Sequence, residues 1–313
     1  MAYFLMAKVG LRLAIINESA SAFWPPTGLA LAALLLWGRR MAPGIFLGAF
    51  AANFTINHSG FISSGIAFGN TFEAVAGSWL VTRFAEGKRT FERPGTVLRF
   101  ILLAAVGSTL LSGTLGVLSL YVGGLAPLEK CWEIWLTWWV GDMVSAIIFA
   151  PFLVVWGSKP SFGPTRIGTL EAGAVMLATA GVALFVFAGW TAAAKGYPLE
   201  YLTLIPLCWA ALRFAQRGAV TVVLLLSITA LAGTSRGFGP FGNRPPNEAL
   251  VLLQLFMATI GMAGLVLAAI TGERNRMLQR LQIQDAVSRF LVESPSLAEA
   301  SAKILRTLVE VTS

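Results

Sequence analysis

Between Ala2 and Thr271 one apolar stretch follows another, each close to bilayer length and each ended by a short polar break. A helix needs about 20 apolar residues to cross the hydrocarbon, with a working range of about 17 to 25. On that measure spans fall near 2–16, 22–38, 41–57, 60–82, 97–122, 132–156, 168–194, 198–212, 218–234 and 248–271. The fold class is therefore all-α, a polytopic transmembrane bundle. From Gly272 to Ser313 the chain turns charged and amphipathic, the pattern of helices that meet water.

Composition points the same way. The chain is 56% hydrophobic and 12% charged, where soluble domains carry about 25% charged residues. A net charge of +8 would suggest nucleic acid in a soluble protein, but here the positive residues alternate along the chain. Arg39 and Arg40; Arg83, Lys88, Arg89 and Arg93; Lys159 and Arg166; Arg213 and Arg217; and Arg274 and Arg276 occupy every second break. The positive-inside rule puts those breaks, and with them both termini, in the cytoplasm. The breaks between them hold Glu18, His58, Glu129 to Glu133, Lys195 with Glu200, and Arg236 with Arg244. Lys8 and Arg12 interrupt the first apolar run, and no small-residue cleavage site follows it, so it reads as a retained span and not a signal peptide. The loop Gly233 to Glu248 reads as turn chemistry. Cys131 and Cys208 lie far apart and His58 is the only histidine, so neither a disulfide framework, a metal centre nor a haem is expected. No cofactor is implied.

Two carboxylates fall inside spans. Gly65, Gly69, Glu73 and Gly77 recur every four residues and share one helix face. Small residues let a second backbone approach closely, and this carries Glu73 into the contact with Asn70 beside it. Asp142 follows Trp138, Trp139, Val140 and Gly141 in the sixth span. At 1.5 Å per residue Glu73 lies about 18 Å along its helix from Phe61, and Asp142 about 15 Å from Trp132, so the two share a depth. A carboxylate there costs about 2.5–3.5 kcal/mol on insertion scales and faces the bundle interior with a partner. Lys8 and Arg12, four apart on the first span, are the candidate intramembrane charge partners. Such pairs can serve packing alone; the functional reading is a polar ligand or proton site. Trp24, Pro25 and Pro26 open the second span at its outer end, where proline lacks only an N–H that needs no partner. Asn53 and His58 stand at a similar level. Ser108, Ser112 and Gly116 form a second small-residue stripe, read as a packing seam with no ligand role.

Several of these stretches, in this order, resemble a known family. Ala22 to Leu31 (AFWPPTGLAL), Pro43 to Phe50 (PGIFLGAF), Gly69 to Ala74 (GNTFEA), Trp138 to Asp142 (WWVGD) and then Pro151 are similar to the first type of bacterial membrane-associated sensor domain, the MASE family. The resemblance covers roughly residues 1–275. It implies a sensory module of the bacterial inner membrane that lies N-terminal to histidine kinases or diguanylate cyclases. Such modules are described with about eight spans, against the ten counted above, so the expectation is eight to ten. The signature positions here are Trp24, Pro25, Pro26, Asn70, Glu73, Trp139, Gly141 and Asp142. With Asn53 they make the candidate ligand-binding or signal-sensing set: Trp24, Pro25, Pro26, Asn53, Asn70, Glu73, Trp139 and Asp142.

The domain reading is thus 1–271, an integral membrane sensor; 272–293, a cytoplasmic signalling helix; and 294–313, the opening of a further domain. In the helix, Leu278 and Leu281 are out of register with Ile283, Val287 and Phe290, a stutter suited to a parallel homodimeric signalling helix. Ser294-Pro295 ends it, Ser296 and Glu299 form a capping box, and 284–312 resembles the first helices of a GAF domain. No phosphoacceptor histidine or nucleotide-binding motif is present, so no catalysis is expected in these residues. The expected partners are the bilayer, a second copy of the chain, and a small ligand or membrane protein. The rival reading is a secondary transporter of a small molecule, since midplane carboxylates and small-residue seams also suit a carrier.

Overall fold

In the computed structural model of this chain, residues 1–12, 23–158, 166–189 and 197–293 are described, with Glu299, Ser301 and Ile304 beyond them. The described residues form helices and helical turns only. They are α1 (Ala2–Arg12), α2 (Pro25–Trp37), α3 (Ala42–Asn57), α4 (Gly60–Phe84), α5 (Pro94–Val122), α6 (Leu128–Gly157), α7 (Arg166–Phe187), α8 (Leu204–Ser235) and α9 (Pro246–Glu293). The starts and stops follow local chemistry. Proline stands in the first turn of α2, α3 and α5, where its missing N–H leaves no bond unmade. His58 ends α3 in the left-handed region at φ 52°, and the Ser59 hydroxyl accepts the Ile62 amide at 3.3 Å to open α4. Two residues thus reverse the chain between α3 and α4. The middle of α5, Ile101–Ser108, is wound as a π-helix.

Five described helical stretches are long and apolar enough to cross a membrane: Pro94–Val122, Leu128–Gly157, Gly168–Phe187, Leu199–Ser235 and Pro246–Glu293. The fourth is not straight. Ala215 has φ 46° and ψ −130°, which breaks the helix. Beyond it, a Cβ on Gly218 would lie 2.7 Å from the Ala210 carbonyl oxygen, although eight residues of straight helix would separate them by about 12 Å. Leu207 and Val223, eight residues either side of the break, both reach the same point beside Gly264 on α9. The residues 204–214 and 216–235 are therefore two arms of a tight helical hairpin.

The hairpin tip meets the other arginine-bearing breaks. The Gln216 amide donates to the Phe91 carbonyl at 3.2 Å and lies against Gly272. Arg217 donates to the Ser158 carbonyl at 3.2 Å and stacks over Trp156. Arg276 bonds the Glu92 carbonyl and pairs with its carboxylate at 3.7 Å. Gly157 packs on Leu36, just before Arg39 and Arg40. One end of the bundle thus gathers the breaks at 39–41, 83–93, 157–158, 213–217 and 272–276. At the opposite end, Gly123 meets Ile62, and the 236–245 loop folds Phe241 onto Phe187 and Phe256. That loop is turn chemistry, with Gly237 and Gly239 at φ 77° and 76°.

The two small-residue stripes pack on each other. A Cβ on Gly65 would meet the Ser119 hydroxyl, one on Gly69 would touch Leu115, and one on Gly77 would meet the Ser108 hydroxyl. α4 and α5 therefore approach closely along their length, with Glu73 set between Gly69 and Gly77. α9 runs unbroken from the core into residues 272–293, where Met277, Leu278 and Leu281 are exposed. The capping box and most of 294–313 lie outside the described residues.

The gathering of arginines at one end gives a test of orientation by the positive-inside rule. A cysteine at exposed Lys88 or Arg213 should react with an impermeant maleimide only after the membrane is opened. Labelling of either in intact cells would reverse the assignment.

Candidate functional site

Pro25 and Pro26 fix where α2 starts, because the residue before a proline is pushed out of helical geometry. That start lies deep in the bundle. The Thr27 hydroxyl donates to Asp142 Oδ1 at 2.8 Å, and Asp142 stands fourteen residues into α6, about 21 Å from its Leu128 end. The sequence reading placed Trp24 and the prolines at the outer interface; they sit instead near mid-depth. The apolar run 22–38 has the composition of a full span, but of its described residues only 25–37 are helical. A 13-residue helix is about 20 Å long. Gly28 completes the docking. Its amide donates to the Ser145 hydroxyl at 3.2 Å, and a Cβ there would lie 2.6 Å from the Ser145 carbonyl oxygen. The Trp-Pro-Pro-Thr-Gly run and the Gly-Asp run are thus two halves of one contact.

Glu73 and Asp142 are buried, 3% and 0% exposed, and lie within electrostatic range of each other. Between them stands Ser112 of α5. Its hydroxyl donates to Asn70 Oδ1 at 2.7 Å and is within hydrogen-bonding reach of both carboxylates. Buried Tyr3 brings its hydroxyl beside Trp24 and Asn70 and within range of both acids. Five buried polar atoms of this group have no hydrogen-bond partner: Tyr3 Oη, Trp24 Nε1, Asn70 Nδ2, Glu73 Oε2 and Asp142 Oδ2. Buried polar groups are nearly always paired, so five such atoms in one cluster make it the candidate site.

Of the predicted set, Trp24, Asn70, Glu73 and Asp142 come together, with Pro25 and Pro26 shaping the start of α2. Asn53 does not join them; its amide turns back to the Ala49 carbonyl one turn earlier at 2.9 Å. His58 is an exposed helix end. Trp139 flanks the site, its indole N–H donating to the Val106 carbonyl of the π-helical turn at 3.1 Å while its ring stacks on Trp135. Lys8 is not the counter-ion of either acid. Tyr3, Ala7 and Gly10 take the inner face of α1, which turns Lys8 to the flank, where its ammonium bonds the Thr55 hydroxyl and lies over Phe4. The Arg12 side chain lies outside the described residues. Three contributors were missed. Ser112 and Thr27 carried a signal, the first in a four-residue stripe and the second inside the Trp-Pro-Pro-Thr motif; Tyr3 carried none.

Replacing Thr27 by Val keeps the shape but removes a donor from buried Asp142, which should cost about 1–3 kcal/mol. A drop in the melting temperature of the detergent-solubilised protein, largely restored by Thr27→Ser, is the expected result. Gly28→Leu should be worse, because the added side chain would overlap the α6 backbone.

Comparison with known proteins gives a single positive result. The MASE1 family model matches residues 1–275, whereas no curated protein and no solved structure matches the chain. The matched segment contains every helix that builds the polar cluster. This chain belongs to the MASE1 family of membrane-integral sensor domains.

Proposed function

We propose that the chain is the input module of a bacterial inner-membrane sensor in which a signal acting on the Glu73–Asp142 cluster shifts α9 against the bundle. The chain crosses the membrane eight to ten times in this reading, with both termini in the cytoplasm. Residues 272–293 then carry the shift across a parallel homodimer to an output domain, a two-component histidine kinase or, as the alternative output, a diguanylate cyclase. The observation that carries this reading is the continuity of α9: 48 residues, about 72 Å, without a break between core and charged segment. Helix α6 links the site to it. Asp142 holds α2, and five residues on, Ile147 lies where a Cβ on Gly261 of α9 would meet it at 2.7 Å. An open apolar groove of about 360 Å³ lined by Val140, Met143, Gln254 and Ala258 runs between α6 and α9. The signal works by population shift, so it must contact two bundle states differently.

Disulfide crosslinking in membranes tests the dimer. A cysteine at Val287 should join protomers, and absence of crosslinks at every position from Met277 to Phe290 would overturn it. Glu73→Gln, in the chain joined to its output, should change output activity without loss of protein from the membrane; unchanged output in both Glu73→Gln and Asp142→Asn would refute the assigned site. The half-helix start of α2 beside two carboxylates also fits a carrier, where such ends hold ions at the midplane. Substrate uptake by reconstituted proteoliposomes would favour that second reading.

A further inference from the structure

We propose that the polar cluster is a binding site for a hard divalent cation, of the Ca²⁺ or Mg²⁺ class. The inference rests on the sensory reading of the site and names what occupies it.

Two buried carboxylates lie within electrostatic range of each other, and the cation of α1 whose side chain is described, Lys8, is engaged by Thr55. Among the described ion pairs neither acid takes part. An uncompensated buried charge costs several kcal/mol even after relaxation, and two adjacent ones repel as well. One divalent ion cancels both charges; a monovalent ion leaves one.

The donor set agrees. The oxygens in the cluster are those of Glu73 and Asp142, the Asn70 amide oxygen, and the hydroxyls of Thr27, Ser112 and Tyr3, with no sulfur or imidazole among them. Carboxylates, amide carbonyls and hydroxyls in this number match the six to eight oxygens that Ca²⁺ takes, and suit Mg²⁺ with water completing its shell. The carboxylate oxygens Glu73 Oε2 and Asp142 Oδ2 and the Tyr3 hydroxyl oxygen are buried and unpartnered. These residues are at least nine-tenths buried.

The test uses the 313-residue chain in nanodiscs after chelation. Equilibrium dialysis with radioactive Ca²⁺, with Mg²⁺ as competitor, should show one saturable ion per chain and a rise in melting temperature. In Glu73→Gln and Asp142→Asn, both close to isosteric, affinity should fall at least 10-fold. Should the variants unfold, the chelator and refill cycle on the wild-type chain still decides the matter. No saturable binding by a cooperatively melting wild-type chain overturns the inference, as does binding unchanged in both variants. Stabilisation by Na⁺ or by acid in place of the divalent ions also overturns it. A change of output in Glu73→Gln without any ion binding would leave the sensory reading standing and remove the cation alone, whereas ion binding without any effect on output would do the reverse.

Discussion

The hydrogen bond from Thr27 to Asp142 is the contact on which the arrangement turns. It holds the first turn of a half-length helix against the middle of a full-length one, and the residues around it are chosen to permit that. Pro25 and Pro26 make the helix begin there, Gly28 removes the side chain that would hold α6 away, and Ser145 takes the Gly28 amide. Once α2 is seated, Trp24 lies beside Tyr3 and Gly10 of α1, and Asn70 and Ser112 stand by the two acids. Without the seat, buried Asp142 would lose the Thr27 donor, a loss that a membrane interior punishes more than water does.

Around that contact the bundle is assembled from seams of small residues. The α4 and α5 stripes interlock so tightly that a Cβ at Gly65, Gly69 or Gly77 would press on Ser119, Leu115 or Ser108. In a bilayer there is no hydrophobic force between helices, so close backbone approach and buried hydrogen bonds supply the association. Glu73 is the exception in its stripe, a carboxylate where the spacing calls for glycine, and the opposing helix answers it with Ser112. The stripe that reads as pure packing is thus also one wall of the site.

Much of this was legible in residue order. Alternating arginines foretold which breaks meet at one end, and the break at Ala215 falls between Arg213 and Arg217, where the charge pattern asked for a turn. Counting 1.5 Å per residue put Glu73 and Asp142 at one depth. What could not be read has a common cause. Hydropathy measures the composition of a run and not its height in the membrane, so α2 was taken as a full span starting at the interface. Lys8 was assigned by charge to the acids, yet a helix has several faces, and the one kept by Tyr3, Ala7 and Gly10 turned it away. The bond joining Thr27 to Asp142 crosses 115 positions of sequence, and no local pattern encodes a meeting at that range.

The clasp at the arginine-rich end limits how α9 can move. Arg276 holds both the carbonyl and the carboxylate of Glu92, and Gln216 rests on Gly272 while bonding Phe91. A stroke of one helical turn along the axis, about 5.4 Å, would tear both grips at once. The collar therefore resists thrust, and it ties the axial position of α9 to the two loops that Glu92 and Gln216 occupy.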